Sequence, residues 1–509
     1  MLLADLTSVS AQVAGVSGRL AKVAAIAEAL GRTGADEAPI AVAFLTGELR
    51  QRQIGVGYRS LHDLSEPAAS PALTLNEVDD AFSRIKAITG AGSVGTRRTA
   101  IDDLFARATA DEQAFLVRLL TGELRQGALD GVMVDAIAKA TGIPVASVRR
   151  AHMLRGSLIE IAASALDGGQ AALDAYRLSV GHPLAPMLAG SAPDVAAAFA
   201  KVSPADVEWK LDGIRVQVHR DDREVGVYTR SLDDITARVP ELVDAALALP
   251  ARSFVLDGEA IALRDDGRPH PFQVTASRTG SSADVAAVRD RTPLRAYFFD
   301  VLHLDGTDLL DAPLHERYAA LDAFVPEELR VPRIVTEDVD AATAYFADAV
   351  ERGHEGVVIK ALDAPYAAGR RGSGWIKVKP RHTLDLVVLA AEWGHGRREG
   401  WLSNLHLGAR DAENGGFVML GKTFKGLTDE LLTWQTEQFL ARATSPADRW
   451  TVRVRPELVV EIAFDGVQRS TRYPGGLALR FARVLRYRPD KRADEADTFD
   501  AVRALAAAD

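Results

Sequence analysis

The alternation of apolar and polar positions divides the chain into three parts. Residues 1 to about 180 are rich in Ala and Leu, and their apolar positions recur at helical spacing, for example over 21–30, 112–120 and 132–140. Beyond residue 205 the period changes to two, as in half-buried strands, and after residue 381 short strands are separated by Gly-rich turns. This pattern predicts a multidomain α+β protein: an all-α region, an α+β region of antiparallel character and a small β-barrel.

The same periods predict the individual elements. In the middle part we expect strands at 208–218, 225–229, 254–263, 296–302, 356–360 and 375–379, with helices at 316–324 and 341–352. In the last part we expect strands at 384–391, 405–409, 416–420 and 458–464, one helix at 429–441, and a short terminal helix or tail. Asp221-Asp222 and Asp265-Asp266-Gly267 are typical of hairpin turns.

Prolines mark the first boundary. His182-Pro183-Leu184-Ala185-Pro186-Met187 contains two prolines in four residues, which prevents a continuing helix. A length of 509 residues suggests roughly three domains at about 150 residues each. We therefore predict domains at residues 1–182, 183–382 and 383–509.

A short repeat lies in the helical part. Residues 44–51 (FLTGELRQ) resemble residues 119–126 (LLTGELRQ), which indicates a duplicated helical unit. Each copy is expected to end a helix and to expose a Gly, an Arg and a Gln. These residues suit close contact with phosphates, but packing at the helix end explains them equally well.

Composition restricts the possible chemistry. The chain has 47% hydrophobic and 26% charged residues, as in ordinary globular proteins, and no cysteine, which excludes disulfides, cysteine-ligated zinc and thiol catalysis. The first residues lack the features of a signal peptide, and no run of about 18 apolar residues occurs. We therefore expect a cytoplasmic protein without a membrane span.

Positive charge is concentrated although the net charge is −10. Residues 364–384 contain five basic residues and no acid, and residues 466–489 contain six arginines and no acid. Two such runs in an acidic protein indicate local binding of a polyanion.

The stretch Glu208 to Arg215 (EWKLDGIR) allows two interpretations. Asp-Gly between alternating apolar residues is a strong hairpin signal, so Lys210 could be an ordinary surface lysine beside a turn. Alternatively, Lys210 is a nucleophile held on a rigid strand, with carboxylates and an arginine around it. A lysine amine attacks only when deprotonated.

Other strand ends carry related chemistry. Asp257-Gly258-Glu259 follows Phe254-Val255-Leu256, Glu355 begins a strand that ends in Lys360, and Lys377 and Lys379 share one strand face. Carboxylates are ligands that suit Mg²⁺, which shares substrate phosphates. Lysines neutralise charge on a phosphorus that undergoes substitution. Together these residues predict a site for a nucleoside triphosphate with a divalent metal, with Glu259 and Glu355 as the metal ligands.

These residues lead to a family resemblance. Lys210-Leu211-Asp212-Gly213-Ile214-Arg215 resembles the K-x-D-G-x-R nucleotidylation motif of ATP-dependent DNA ligases. The other motifs follow in the family's order: Tyr228–Ser231, Leu256–Glu259, Tyr297–Asp300, Glu355–Lys360, Trp375–Lys379, and Arg480–Arg483 running on to Arg488–Lys491. The helical part resembles the family's DNA-binding domain, notably at residues 122–127. The likeness is greatest to a bacterial three-domain form and covers nearly the whole chain.

The resemblance implies a DNA-binding domain, an adenylation domain and an OB-fold domain, and a reaction in three steps. Lys210 would attack the α-phosphorus of ATP and expel pyrophosphate, the adenylyl group would pass to the 5′-phosphate at a nick, and the 3′-hydroxyl would displace AMP. The partner would be nicked duplex DNA, in repair, replication or recombination, and the cofactors would be ATP and Mg²⁺. We expect a monomer.

The resemblance also implies roles for single residues. Glu208 and Arg215 would contact the nucleoside, Arg230 and Glu259 the ribose or phosphate side, and Phe299 would stack on adenine. Phosphates would be contacted by Lys377 and by Arg371, with Arg370 as a rival, and further by Lys360 and Lys379. The barrel would swing so that Arg488, Asp490 and Lys491 help pyrophosphate to leave, and would then rotate to clamp the duplex.

Other enzymes share this lysine chemistry. The main alternative is an RNA ligase or a capping-type nucleotidyltransferase, which the large helical part and the Arg-rich ending disfavour. NAD-dependent ligases carry a cysteine-ligated zinc module, which this chain cannot form. A non-catalytic nick-binding protein is disfavoured because Lys210, Glu259, Glu355 and Lys377 are intact.

Overall fold

The structure, a computed structural model, describes residues 1–90, 92–124, 126–127, 130–280, 285–367, 371–444 and 450–508. The first part is helical, as predicted. Its helices are α1 Leu3–Gly15, α2 Arg19–Leu30, α3 Ala38–Thr46, α4 Leu75–Ala87, α5 Ser93–Ala106, α6 Ala110–Leu120, α7 Asp130–Thr141, α8 Val145–Arg155 and α9 Leu158–Asp174. Sequence sets two of these starts, because Thr74 with Glu77 and Thr109 with Glu112 form capping boxes at α4 and α6.

The two copies of the repeat end α3 and α6, and the Gly and Gln that they share have structural roles. Gly47 and Gly122 both have positive φ, as at a glycine helix end. Gln51 is buried and donates to Asp79, while Gln126 is buried and donates to the carbonyl of Leu45. The glutamines therefore anchor the helix ends rather than facing phosphates. Arg125 lies outside the described residues.

The middle part contains two sheets. Its strands are β1 Leu188–Ser191, β2 Ala205–Trp209, β3 Ile214–Asp221, β4 Glu224–Thr229, β5 Ser253–Ala262, β6 Leu294–Leu304, β7 Thr307–Asp308, β8 Arg333–Thr336, β9 Val357–Ala361 and β10 Arg371–Val378. Its helices are α10 Val195–Phe199, α11 Pro240–Ala248, α12 Phe272–Gly280, α13 Val285–Arg291, α14 Leu314–Phe324 and α15 Val339–Glu351. Among the described residues one sheet has the order β1-β10-β9-β2-β8 and the other β4-β3-β5-β6-β7.

The hairpin interpretation of the Asp212-Gly213 bend is wrong. β2 pairs with β8 and β9, whereas β3 pairs with β4 and β5 in the other sheet. The bend therefore carries the chain from one sheet to the other. Local alternation cannot distinguish the two cases, because the strand partners are distant in sequence.

Gly213 is needed where this connection passes over β5. A Cβ on residue 213 would lie 2.4 Å from the carbonyl oxygen of Ala260 and 2.9 Å from Cγ of Glu259. The first of these is backbone, which cannot move aside without shifting the strand. Glycine therefore lets the segment after Lys210 lie directly on β5.

We expect Gly213→Ala to lower the free energy of unfolding by about 2 kcal/mol, the size of an overpacking defect. Thermal unfolding of the full chain would measure it. Gly95→Ala is the matched control, because nothing lies within 4 Å of a Cβ there and the residue is inside α5, where alanine is favoured. Equal melting temperatures for Gly213→Ala and the parent would contradict this prediction and show that β5 shifts at little cost in free energy.

The last part is a strand-rich barrel with two helices, as predicted. Its strands are β11 His382–Trp393, β12 Leu402–Arg410, β13 Phe417–Thr423, β14 Thr451–Arg453, β15 Val459–Phe464, β16 Gly466–Arg469, β17 Leu477–Arg480 and β18 Arg483–Tyr487. Its helices are α16 Asp429–Ala441, which has the predicted bounds, and α17 Phe499–Ala508. The main sheet runs β13-β12-β11-β15-β18, and β16 pairs with β17.

One stretch of the barrel has the residue spacing of a phosphate-binding P-loop. Gly416 to Thr423 reads GFVMLGKT. In the structure these residues form β13, paired with β12, and Lys422 pairs with Glu392. A P-loop lies between a strand and a helix, so this match has no phosphate-binding geometry.

The proline segment between the helical and middle parts is anchored. Leu184 and Met187 are buried, and the Leu184 N–H donates to Gln217. The predicted boundaries at residues 182 and 382 stay a prediction. Among the described residues, no helix has the length and apolarity needed to cross a bilayer.

Candidate active site

Lys210 lies at the end of β2, opposite the start of β9. Its N–H donates to the carbonyl of Gly356 at 2.8 Å, and the N–H of Glu355 donates to the carbonyl of Lys210 at 2.9 Å. Gly356 has φ of +130°, and a Cβ there would lie 2.3 Å from the carbonyl oxygen of Val378. The backbone thus places the side chains of Lys210 and Glu355 side by side.

The carboxylate of Glu355 joins two lysines. One oxygen pairs with Nζ of Lys210, and the other lies 2.8 Å from Nζ of Lys379. Burial alone would raise the pKa of Glu355, but the two ammonium groups lower it to about 2. Glu355 is therefore ionised at neutral pH.

Two further carboxyl groups face this pair. Burial raises the pKa of Glu259 to about 7, against the opposing effect of Lys210 and Arg215. Burial and the charge of Glu355 raise the pKa of Asp212, which Arg480 opposes. These carboxyl groups are difficult to ionise together without additional positive charge.

The donor set fits Mg²⁺. Among the described residues there is no group of three or more His, Cys, Asp or Glu side chains that could hold a metal by themselves. Glu259 and Glu355 supply two carboxylates, and Mg²⁺ characteristically takes one or two of these and completes its shell with water and substrate phosphates. The raised pKa of Glu259 is consistent with a site that gains from a cation.

Arg215 is held in a network that the sequence did not predict. Asp257 accepts two hydrogen bonds from Arg215, at 3.0 and 2.6 Å, and the carbonyl of Met187 accepts a third at 2.6 Å. The hydroxyl of Tyr366 donates to Asp257 at 2.7 Å and accepts from Arg215 at 3.2 Å. Asp257 lies within a motif and could have been found. No local signal identifies Tyr366.

Phe299 owes its position to a β-bulge. Asp257 pairs with Asp300 and Gly258 pairs with Phe298, so Phe299 is an extra residue on β6. Gly258 accommodates the bulge, since a Cβ there would lie 2.8 Å from the carbonyl oxygen of Tyr297. A bulge re-aims a side chain, as is common beside functional sites.

Cations lie near the ring of Phe299. Cζ of Arg215 lies 5.4 Å from the ring centroid and Nζ of Lys360 lies 4.6 Å from it. The same two groups approach Trp375, at 5.6 and 4.5 Å. Trp375 was part of a predicted motif, but no role was predicted for it.

Glu208 lies deeper than Lys210 and is almost fully buried. It accepts a hydrogen bond from the Tyr318 hydroxyl at 2.6 Å and pairs with Nζ of Lys360 at 2.5 Å. Burial raises the pKa of Glu208, and the ammonium of Lys360 opposes this. Asp206 lies 2.7 Å from the same Tyr318 hydroxyl oxygen.

The geometry does not support Lys360 as a phosphate ligand. Its side chain is 2% exposed and is engaged with Glu208 and with the Phe299 carbonyl. Its register partner is Asp206, four residues before Lys210 on β2. At roughly 3.3 Å per residue this is about 13 Å along the strand. The sequence placed Lys360 at a strand end but could not show that the strand end is buried.

Nor does the structure bring Arg488, Asp490 and Lys491 to Lys210. They cluster around Asp385 on the barrel, with Arg488 at 2.8 Å and Lys491 at 2.5 Å from its carboxylate, and Arg488 also pairs with Asp490. The N–H of Arg488 donates to Val459, at the far end of β15 from Asp465. Six residues at roughly 3.3 Å separate the two ends by about 20 Å.

Two other barrel residues contact the site instead. Arg480 lies 3.3 Å from Asp212, and Asp465 lies 3.4 Å from Lys379. Phe464-Asp465-Gly466 repeats the apolar-Asp-Gly pattern of Leu211-Asp212-Gly213 and Leu256-Asp257-Gly258. The same pattern also occurs at Leu129-Asp130-Gly131, Leu166-Asp167-Gly168 and Leu304-Asp305-Gly306, so it could not have identified Asp465.

Comparison with known proteins identifies the family. Three family models match: "ATP dependent DNA ligase domain" over residues 186–379, "ATP dependent DNA ligase C terminal region" over 398–491 and "DNA ligase N terminus" over 58–138. A protein of Mycobacterium marinum named "Probable DNA ligase" is 59% identical over 512 residues, covering 99% of this chain and 100% of the relative. The chain belongs to the ATP-dependent DNA ligase family.

A second relative of this ligase, from Nocardioides sp., is also named "Probable DNA ligase" and is 59% identical over 99% of both chains. The solved structure named "Pmar-Lig_Pre." has a TM-score of 0.61 at 19% identity, covering 95% of this ligase and 99% of that chain. At that identity the match shows the fold alone. The predicted fold class, a helical region followed by a nucleotidyltransferase domain and an OB-like barrel, is confirmed.

Four predicted site residues of the ligase remain to be placed. Arg230 lines a small cleft with Arg215, Asp257 and Thr229. Lys377 is half-buried on β10, in register with Val358. Arg371 begins β10, but its side chain lies outside what the structure describes, and Arg370 lies outside the described residues altogether.

Proposed function

We propose that this ligase seals nicks in duplex DNA, joining a 5′-phosphate to a 3′-hydroxyl at the expense of ATP, with Lys210 as the nucleophile. The observation that carries the proposal is the position of Lys210. Its amine projects from a strand end fixed by backbone hydrogen bonds, among the carboxylates of Glu355 and Glu259 and the ammonium of Lys379. The reaction class is that of DNA ligase (ATP).

In the first step, Lys210 forms a bond between Nζ and the α-phosphorus of ATP. The bond from that phosphorus to the bridging oxygen of the β-phosphate breaks, and pyrophosphate leaves with the electron pair. The ammonium gives up one proton before attack and a second as the N–P bond forms. Both protons pass to water, and Glu355, paired with Lys210, is placed to orient the amine.

The other proposed contacts rest on the match of these residues to the family's motifs. Glu208 and Arg215 contact the nucleoside, Phe299 stacks on adenine, and Arg230 and Glu259 lie on the ribose and phosphate side. Lys377, Lys379 and Arg371 contact phosphates. Glu208 is held rigidly by Tyr318 and Lys360, which pre-organises it as a hydrogen-bond acceptor.

Glu259 and Glu355 would hold Mg²⁺. The ion, when bound, supplies positive charge against the oxygens of the triphosphate. That charge would add to the charges of Lys210 and Lys379, which pair with Glu355.

We propose residues 1–182 as the DNA-binding domain, 183–382 as the adenylation domain and 383–509 as the OB-fold domain. The barrel rotates between steps, because Arg488, Asp490 and Lys491 serve ATP only if that face turns towards Lys210. One chain acts on one nick as a monomer, in the cytoplasm, during repair, replication or recombination. These assignments rest on the family and on the concentration of arginine in residues 466–489.

A nick-sealing assay tests the proposal. The protein should take label from ATP radiolabelled at the α-phosphate in Mg²⁺, return it on addition of pyrophosphate, and join a nicked DNA duplex. Labelling with joining of RNA ends alone would favour the RNA ligase alternative. Transfer of the nucleotide to a 5′-diphosphate end would favour the capping-type alternative.

A further inference from the structure

Asp465 connects the barrel to the adenylation site. It follows β15, and its carboxylate lies 3.4 Å from Nζ of Lys379, which also pairs with Glu355 at 2.8 Å. The side chains of Lys379 and Asp465 are 22% and 29% exposed, so the pair is shielded from solvent but not sealed from it. Burial lowers the pKa of Lys379, but Glu355 and Asp465 together raise it above its usual value.

The position of Asp465 is fixed by the barrel. Its N–H donates to the carbonyl of Arg480 at 3.0 Å, which places the two residues opposite each other where β16 pairs with β17. Arg480 in turn pairs with Asp212. One short edge of the barrel therefore pairs an anion with Lys379 and a cation with Asp212, two residues of the adenylation site.

We infer that Asp465 is a positioning residue that docks the barrel for the DNA-joining steps and opposes ATP binding while it is docked. The inference rests on the proposed function. Lys379 is proposed to contact a phosphate of ATP, and the same ammonium is bound by Asp465 in the docked arrangement. The Asp465 carboxylate repels the triphosphate and already pairs with the ammonium that a phosphate would bind. Lys379 therefore cannot bind Asp465 and a phosphate of ATP at the same time.

Asp465 therefore favours the DNA-joining steps and disfavours the attack on ATP. During transfer of the adenylyl group to DNA and sealing, the Asp465–Lys379 pair holds the barrel over the nick. During attack on ATP the barrel must leave, because Arg488 and Lys491 lie on another part of it, about 20 Å along β15. Lys379 therefore becomes available to the nucleotide only after the barrel, with Asp465, has moved away.

Asp465→Asn tests this inference with the full chain. Removing the charge should increase the rate of lysyl-AMP formation at subsaturating ATP by about threefold and slow the sealing of a nick that already carries AMP by about fivefold, the scale of a partly exposed interfacial ion pair. Both rates are measured under single-turnover conditions. Asp465→Glu, which keeps the charge, should restore much of the sealing rate.

The matched control is Glu457→Gln. Glu457 lies just before β15 and pairs with Arg442 and Arg455, at 3.3 and 3.0 Å, outside the arginine run of 466–489, so neither step should change. Equal slowing of both steps by Asp465→Asn would reduce Asp465 to a structural role and overturn the inference, as would unchanged sealing. If the parent protein neither labels nor seals, the proposed function itself fails.

Discussion

Replacing Lys210 with alanine is expected to abolish lysyl-AMP formation, with a loss of at least about a thousandfold, as for removal of a covalent nucleophile. Lys379 cannot substitute for Lys210. It pairs with the other carboxylate oxygen of Glu355, and the backbone hydrogen bonds of residue 210 to Gly356 and Glu355 position only the Lys210 side chain at this strand end. Radiolabelling from ATP, followed by denaturing electrophoresis, measures the loss.

The step at which the variant fails is equally informative. A nick that already carries AMP on its 5′-phosphate no longer needs the nucleophile, so Lys210→Ala should seal it at a rate much closer to that of the parent. Lys210→Arg keeps the positive charge beside Glu355 but cannot be deprotonated, so it should fail to label as well. Lys201→Ala, at an exposed lysine of the same domain, is the control and should label normally.

Label on the Lys210→Ala protein at the parental rate would refute the assignment, and peptide mapping would then identify the true nucleophile. Loss of sealing on the adenylated nick as severe as the loss of labelling would mean that Lys210 mainly holds Glu355 in place. The two outcomes separate chemistry from structure at this residue.

Sequence predicted best what depends on local pattern. The bounds of α16 were correct because its apolar face and its Thr428 N-cap are encoded within the helix. The grouping of Lys210, Glu355 and Lys379 could be predicted because each lies just outside an apolar alternation, at adjoining ends of β2, β9 and β10 in one sheet. Glu259 lies within β5 of the other sheet, so its place beside Lys210 depends on how the two sheets pack.

What sequence could not predict is which strands pair and how deeply a charge is buried. The Asp212-Gly213 bend has the local signature of a hairpin, yet its two strands belong to different sheets. Tyr366 reaches Asp257 across 109 residues of sequence, and no periodicity encodes such a contact. The position of Arg488 depends on the orientation of the barrel, which the order of motifs along the chain does not determine.

Lys360 shows the difference most clearly. A lysine at a strand end in a nucleotide-binding motif suggests a phosphate contact, but its ammonium lies inside the domain between Glu208 and two aromatic rings. Asp206 and Glu208 are both buried, share the Tyr318 hydroxyl, and have raised pKa values because of burial. Lys360 pairs with Glu208 at 2.5 Å, whereas Arg333 lies 3.9 Å from Asp206.

Lys360→Met is therefore expected to lower the free energy of unfolding by about 3–5 kcal/mol at neutral pH, the cost of leaving a buried charge without its partner. The loss should depend on pH. Both carboxyl groups bind protons more tightly in the folded than in the unfolded state, so stability falls as pH rises through their folded pKa values, and removing Lys360 strengthens this effect. The deficit relative to the parent should be smallest near pH 4 and grow towards pH 8. Thermal unfolding followed by tryptophan fluorescence across this range measures it.

A second substitution distinguishes burial from phosphate binding. Glu208→Gln in the Lys360→Met background removes the charge left without a partner and should restore part of the lost stability, although labelling from ATP stays weak because Glu208 is a proposed nucleoside contact. Lys422→Met is the matched control: its pair with Glu392 is about one quarter exposed on both sides and should contribute less than about 1 kcal/mol. If Lys360→Met instead has the melting temperature of the parent and loses only labelling from ATP and its reversal by pyrophosphate, the Lys360 ammonium contacts phosphate. That would require β9 to shift on binding, because in the present arrangement the side chain reaches Glu208 and not the surface.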